Sequence, residues 1–343
     1  MSAVNLNIIA NLLRKQRRFA FMFPGQGSQH IGMGKEIAEN FTDARLVFEE
    51  VDEALKYNLS RLMFEGDFNE LTLTKNAQPA ILANSIATLR VITQEMGLDP
   101  SPESGCVCVL GHSLGEFSAM VAAGVIPLSF ASKLVRLRGQ SMQTAVDNYG
   151  QDCTMMALMP ISFENASKAC EMALDHSSLQ HEREVCQIAN VNAPKQIVLS
   201  GTLSAVDRVV SIAKESFRVK RAVKLDVSAP FHCSIMKDAA VDLEAAIALG
   251  LDFVQNPSVP ILSNVTALPV LDGHKLMELA VKQVTTTVLW TKCVEAASLD
   301  LQTETFVEVG GKVLSGLVPK IRKNVECLSL ESFEDIKRLS NSS

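Results

Sequence analysis

The sequence predicts an α/β fold: a large domain built on a mostly parallel sheet, with a small α+β subdomain inserted into it. Three observations predict it. Strand-like and helix-like segments alternate through the first half of the chain. The word Gly111-His112-Ser113-Leu114-Gly115 falls between an apolar strand-like run and a small-residue, helix-like run. Beyond Gly150 the segments run in the order β-α-β-β-α-β.

The elements follow in chain order. Arg14, Lys15, Arg17 and Arg18 cluster behind an apolar stretch from Asn5 to Leu13, and no acidic residue precedes Glu36. Residues 1–18 therefore read either as an organelle targeting segment or as a disordered basic tail. Phe19-Ala20-Phe21-Met22-Phe23 is a buried strand broken by Pro24-Gly25. Apolar spacing predicts helices over Asp43–Leu55 and Pro79–Met96. Cys106–Leu110 is the strand entering the G-x-S-x-G turn, and a helix over Leu128–Val146 follows it.

The texture changes near Asn148-Tyr149-Gly150. Strands are expected at Thr154–Met159, Cys186–Asn190, Gln196–Ser200 and Arg218–Leu225, with helices at Ser162–Leu174 and Leu203–Ser216. That order is ferredoxin-like. The small subdomain is drawn over residues 149–218, and the large domain over 19–148 and 219–330. Val309-Gly310-Gly311-Lys312 closes the large domain.

Composition narrows the function. Hydrophobic residues make up 47% of the chain and charged residues 20%, which describes a sizeable core. The net charge of −6 offers no general attraction to nucleic acid. No apolar run approaches the roughly 20 residues a membrane span needs. The eight cysteines are scattered, apart from Cys106 and Cys108, expected on one strand face as small core residues. They form neither a disulfide framework nor a metal-spaced cluster, and a reducing compartment fits them.

Ser113 is the chemical centre. A G-x-S-x-G word arises by chance in about one chain in ten of this length, so its context carries the argument. Strand, turn and helix in succession make it a nucleophile elbow of the α/β-hydrolase-like kind. The helix aims free N–H groups back at the serine. The N–H of Leu114 becomes an oxyanion donor by the elbow's geometry. A serine needs a base, and six histidines are available. The helix over Leu128–Val146 sets Arg136 and Arg138 about 200° apart, so they face opposite sides. Gly25-Gln26-Gly27-Ser28 lacks the Gly-Lys-Ser/Thr ending of a phosphate loop.

Eight words in fixed order say more. Phe23-Pro24-Gly25-Gln26-Gly27-Ser28-Gln29, Ala77-Gln78-Pro79-Ala80, Gly111–Glu116, Arg138-Gly139, Asn190-Val191-Asn192-Ala193-Pro194, Phe231-His232-Cys233, Trp290-Thr291-Lys292 and Glu308-Val309-Gly310 occur in turn. Together the chain from Phe19 to Ile321 resembles malonyl-CoA:acyl carrier protein transacylases. These load malonyl groups in type II fatty-acid synthesis, and related domains occur in polyketide and large fatty-acid synthases.

The resemblance implies roles. Ser113 would carry a malonyl ester and His232 would be its base. The base would be oriented by the main-chain carbonyl of Gln283, with Asp226 as an alternative triad acid. The Gln26 main chain would supply the second oxyanion donor. Arg138 would grip the malonyl carboxylate with two hydrogen bonds. Phe231 resembles the malonyl-selecting form, Asn192 would line the cleft, and His112 would be a packing or hydrogen-bonding neighbour at the substrate site. Two words depart from the family. Gly310-Gly311 stands where many relatives have Gly-Pro-Gly. Val288-Leu289-Trp290 also differs, close enough to Gln283 to put the orienting carbonyl in doubt.

The implied reaction moves malonyl from coenzyme A to the phosphopantetheine thiol of acyl carrier protein. It uses no cofactor or metal. The partners expected are malonyl-CoA and acyl carrier protein, not nucleic acid or membrane, and the enzyme is expected to be a monomer. A mitochondrial address follows if residues 1–18 are a targeting segment; a cytoplasmic or other organellar address is the alternative. The rivals are a serine esterase or thioesterase, a non-catalytic scaffold, and an acyltransferase unit of a polyketide-type synthase. Arg218, Lys220, Arg221 and Lys224 form a basic stretch that either docks the acidic carrier or is a solvated strand edge.

Overall fold

In the computed structural model, residues 18–173 and 184–340 are described. Residues 1–17, with most of the basic segment, lie outside them. In chain order the strands are β1 (Phe19–Phe23), β2 (Cys106–Gly111), β3 (Cys153–Met159), β4 (Cys186–Ala193) and β5 (Gln196–Thr202). Then come β6 (Arg221–Lys224), β7 (Ile261–Leu262), β8 (Pro269–Val270), β9 (Thr305–Val309) and β10 (Glu326–Leu330).

The larger sheet has six strands in the order β10-β9-β1-β2-β7-β8. Every pairing is parallel except that of β8 with β7. β1 lies in its middle and is buried along its whole length. Its side chains alternate between two cores, with Phe19, Phe21 and Phe23 on one face and Ala20 and Met22 on the other. Each large side chain so buried contributes roughly 1.5–3 kcal/mol.

Cys106 and Cys108 are both buried but do not share a face. The register shifts at the start of β2, with Phe19 opposite Cys106 and Ala20 already opposite Cys108. The two thiols pack into different cores, because a bulge cancels the two-residue repeat.

The smaller sheet is antiparallel, in the order β4-β5-β3-β6. The helices Phe163–Ala173 and Leu203–Phe217 share its separate core. This is the ferredoxin-like arrangement. One boundary needs correction: the subdomain does not end at residue 218. Arg221–Lys224 pairs with β3, and the Leu225 N–H still donates to the Met155 carbonyl at 3.0 Å. Arg218 is instead the left-handed cap of the preceding helix, at φ 57°.

The helix expected from Pro79 begins earlier, spanning Thr74–Met96 with Pro79 inside it. Proline disfavours this by removing an N–H. Buried polar contacts hold the extra turn in place: the Thr74 hydroxyl reaches Gln26, and Gln78 reaches Arg138.

The two units are tied beside the site. Val288 exchanges main-chain hydrogen bonds with β4, at 2.8 Å to the Ala189 carbonyl and 2.9 Å from the Val191 N–H. The Thr287 and Thr291 hydroxyls donate to the Ile188 and Val191 carbonyls. The departing Val288-Leu289-Trp290 word therefore anchors the small sheet to the large domain.

Candidate active site

β2 ends at Gly111 and a helix begins at Gly115, so the chain reverses around Ser113. Ser113 sits at φ 54°, a left-handed conformation costing a non-glycine residue on the order of 1–3 kcal/mol. The flanking glycines permit the reversal. A Cβ on Gly111 would lie 1.9 Å from the Gly115 main chain, and one on Gly115 would lie 2.1 Å from the Phe23 carbonyl oxygen. Asn264, next to β7, fixes the turn from outside. Its Oδ1 accepts the Ser113 N–H at 2.7 Å, and its Nδ2 donates to the Gly111 carbonyl at 2.7 Å.

The Ser113 hydroxyl lies 2.7 Å from His232 Nε2. His232 Nδ1 lies 2.8 Å from the Gln283 carbonyl oxygen. A carbonyl only accepts, so Nδ1 carries the ring proton and Nε2 offers its lone pair to the serine. Burial pushes the His232 pKa down to about 3, with the charge of Arg138 adding to the effect. The ring is thus neutral and able to accept a proton. Gln283 ends the helix Gly273–Gln283, so its carbonyl belongs to the electronegative end of that helix. That end favours the imidazolium a proton transfer creates. Asp226 is exposed, and the ring nitrogen it would need is already taken.

Arg138 is 2% exposed. Its Nη1 donates to Gln78 Oε1 at 2.7 Å and its Nη2 to Gln283 Oε1 at 3.0 Å. The guanidinium lies over the Phe117 ring, 5.7 Å from its centroid. Burial lowers its pKa to about 10, which leaves it charged at neutral pH. Both anchors are neutral amide oxygens, and Arg138 Nε has no partner among the described residues. A buried cation with spare donors is suited to a carboxylate. Gly139 lets the two helices meet here, since a Cβ on it would lie 2.5 Å from the Thr74 carbonyl oxygen. Arg136 faces away, bonded to Asn76 and stacked on Tyr57.

A cleft of about 220 Å³ opens over Ser113 between the two units. Gln26, His112, Asn192, Phe231 and His232 line it; Arg138 is not among the lining residues and is tied to His232 through Gln283. His112 Nε2 donates to Asn192 Oδ1 at 2.8 Å, and its ring stands edge-on to Trp290. His112 therefore braces the cleft wall rather than contacting Ser113 Oγ. Gly25 brings the Gln26 loop against the elbow: a Cβ there would lie 2.5 Å from the His112 carbonyl oxygen. Among the described residues, no acceptor takes the main-chain N–H of Gln26 or Leu114. Two such donors beside a nucleophile can hold an oxyanion. In the Gly310-Gly311 turn, the Glu308 carboxylate gathers the N–H groups of Val313, Leu314 and Ser315.

The structure thus brings together all nine site residues expected from sequence. Sequence reasoning gave no role to Asn264, Gln78 or Glu116. Glu116 had a legible signal, being the lone charge in the small-residue, apolar helix Gly115–Ala122. Asn264 had none, because its partners lie about 150 residues away in the chain.

Comparison with known proteins identifies the family. The family model described as "Acyl transferase domain" matches residues 20–314. A malonyl CoA-acyl carrier protein transacylase of Bacillus subtilis is 39% identical over 321 residues, covering 93% of this chain and 95% of the relative. The Escherichia coli K12 protein of the same description is 39% identical, covering 89% and 93%. A crystal structure of an acyl-carrier-protein S-malonyltransferase from Bartonella henselae is 41% identical, covers 94% of this chain and 99% of its own, and superposes with a TM-score of 0.85. A malonyl-transacylase in complex with its type II PKS acyl-carrier protein is 32% identical, covers 95% and 100%, and has a TM-score of 0.85. The chain belongs to the acyl transferase family and, within it, to the malonyl CoA-acyl carrier protein transacylases.

Proposed function

We propose that this enzyme transfers malonyl from malonyl-CoA to the phosphopantetheine thiol of acyl carrier protein, through a malonyl ester on Ser113. The observation that carries the reading is the line Ser113–His232–Gln283, set beside a buried arginine that shares Gln283.

His232 Nε2 takes the Ser113 proton as Oγ attacks the thioester carbon. The carbonyl oxygen becomes an oxyanion held by the N–H groups of Leu114 and Gln26. The carbon–sulfur bond breaks, and coenzyme A leaves with the proton returned from His232. The carrier thiol then repeats the steps in reverse, regenerating the Ser113 hydroxyl. No step calls for a metal or cofactor. Arg138 pairs with the malonyl carboxylate and so separates malonyl from uncharged acyl groups. That buried cation favours acyl transfer of malonyl over a general esterase. The discriminating measurement is the fate of malonyl-Ser113, which passes to a thiol in a transferase and to water in an esterase.

Three further readings complete the proposal. The exposed Arg218, Lys220, Arg221 and Lys224 lie on or beside the edge strand β6, where an acidic carrier could dock. The enzyme is read as a monomer, tested by its molar mass in solution. The basic, acid-free residues 1–18 support a mitochondrial address, tested by whether protein recovered from its native cells lacks them.

A further inference from the structure

Glu116 is a buried acid with no step in the proposed transfer. It lies in the first turn of the elbow helix and is 0% exposed. Its hydrogen-bond partners all donate: Gln283 Nε2 to Oε2, the Asn264 main-chain N–H to Oε1 at 3.3 Å, and the Ser263 hydroxyl. The same Gln283 amide accepts from Arg138 through its Oε1. Glu116 and Arg138 are therefore opposite buried charges on two helices, joined through one neutral amide. The amide orientation is fixed, since turning it over would set Oε1 against the carboxylate.

Before substrate arrives, Glu116 balances Arg138. A malonyl carboxylate at Arg138 would then make two buried anions for one cation, which is costly. We propose that Glu116 is a positioning residue that carries the counter-charge of Arg138 in the free enzyme and takes up a proton from solvent when the malonyl carboxylate replaces it. This rests on Arg138 as the carboxylate's seat.

The surroundings fit a carboxyl that changes state. The Ser263 hydroxyl can turn from donating to a carboxylate to accepting from a carboxylic acid. It already accepts the Val265 N–H at 3.3 Å and has a second lone pair free for the purpose. The Gln283 and Asn264 N–H groups serve either state. Burial places the Glu116 pKa at about 7, so losing a partner charge moves it across neutrality. The other titratable groups nearby hold still. Cys293 is pushed well above its ordinary value, His232 and His112 are pushed down, and Arg138 stays charged.

The sign of the effect follows. Above about pH 7 the free enzyme holds Glu116 ionised, so malonyl loading takes up a proton and weakens as pH rises, by up to about tenfold per unit. Below that pH Glu116 is already neutral and loading takes up none.

The test equilibrates the enzyme with malonyl-CoA and coenzyme A, and separately with acetyl-CoA and coenzyme A, from about pH 6 to 9, and weighs the intact protein. Ionisation of the released thiol is common to both and cancels in the malonyl-to-acetyl ratio of ester formed. The expected ratio is flat below about pH 7 and then falls by up to about tenfold per unit, whereas in Glu116→Gln it stays flat. A protonated-carboxyl band should also appear in the infrared difference spectrum on malonyl loading, and be missing in Glu116→Gln. A constant wild-type ratio, or an equal fall in Glu116→Gln, overturns the proposal. The wild-type ratio needs no variant, so the test survives a variant that fails to fold. Absence of any malonyl on Ser113 would instead defeat the functional reading itself.

Discussion

His232 Nδ1 donates to the main-chain carbonyl of Gln283 at 2.8 Å, and this contact fixes which ring nitrogen faces the serine. The same residue holds Arg138 through its side chain at 3.0 Å. Imidazole and guanidinium are thus registered to each other by one residue at a helix end.

That registration predicts the behaviour of the base. His232→Ala should slow acylation of Ser113 by several orders of magnitude with a near-normal circular dichroism spectrum, because it removes a proton acceptor. Single-turnover labelling with malonyl-CoA reads the rate. A rate within about tenfold of wild type would move the base to another group.

The pH profile follows from burial. With its pKa lowered to about 3, His232 stays neutral far below the ordinary histidine value of 6.5. The acid limb of kcat/KM for acetyl-CoA should therefore be missing between about pH 7 and 5. A limb centred near the ordinary value would show that solvent reaches the ring and that the base titrates freely.

Arg138→Ala should cost malonyl transfer on the order of 3–5 kcal/mol, or roughly two to three and a half decades in kcat/KM. It leaves the substrate carboxylate without its partner in a buried site. Acetyl transfer should change little. Arg138→Lys should rescue malonyl only in part, since an ammonium cannot span both positions of the fork. Arg136→Ala is the control, because Arg136 is turned toward Asn76 and Tyr57. Equal losses for malonyl and acetyl in Arg138→Ala would make Arg138 a structural residue.

Much of this was legible in the sequence. The elbow shows in five residues, because strand, turn and helix are local. Arg138 was separable from Arg136 by helical geometry alone. The histidine and the orienting carbonyl came through the family resemblance, since nothing local marks a base 119 residues from its serine. The polar network was hidden. Glu116, Gln283 and Asn264 meet only in the fold, and the Thr74–Gln78 turn, buried except at Lys75, defeated the expectation that Pro79 would begin its helix. The Cys106–Cys108 face departs from the two-residue repeat because a bulge leaves no mark in an apolar run.

Asn264 carries a stability prediction of its own. Asn264→Leu leaves the Ser113 N–H and the Gly111 carbonyl unpaired beneath the elbow. The expected loss is about 1–3 kcal/mol for each buried group, with acylation slowed as the elbow relaxes. Denaturant unfolding measures the first and single-turnover labelling the second. Unchanged stability would show that the elbow supports itself.

The proposed reaction turns on a malonyl ester on Ser113 that serves a thiol. Wild type and Ser113→Ala are incubated with malonyl-CoA, weighed intact, mapped by peptide, and then mixed with the phosphopantetheine-bearing carrier protein. The expected result is one malonyl group on Ser113, none on Ser113→Ala, and transfer of that group to the carrier faster than its release by water. Label on a cysteine, label persisting in Ser113→Ala, or hydrolysis outpacing transfer would contradict it.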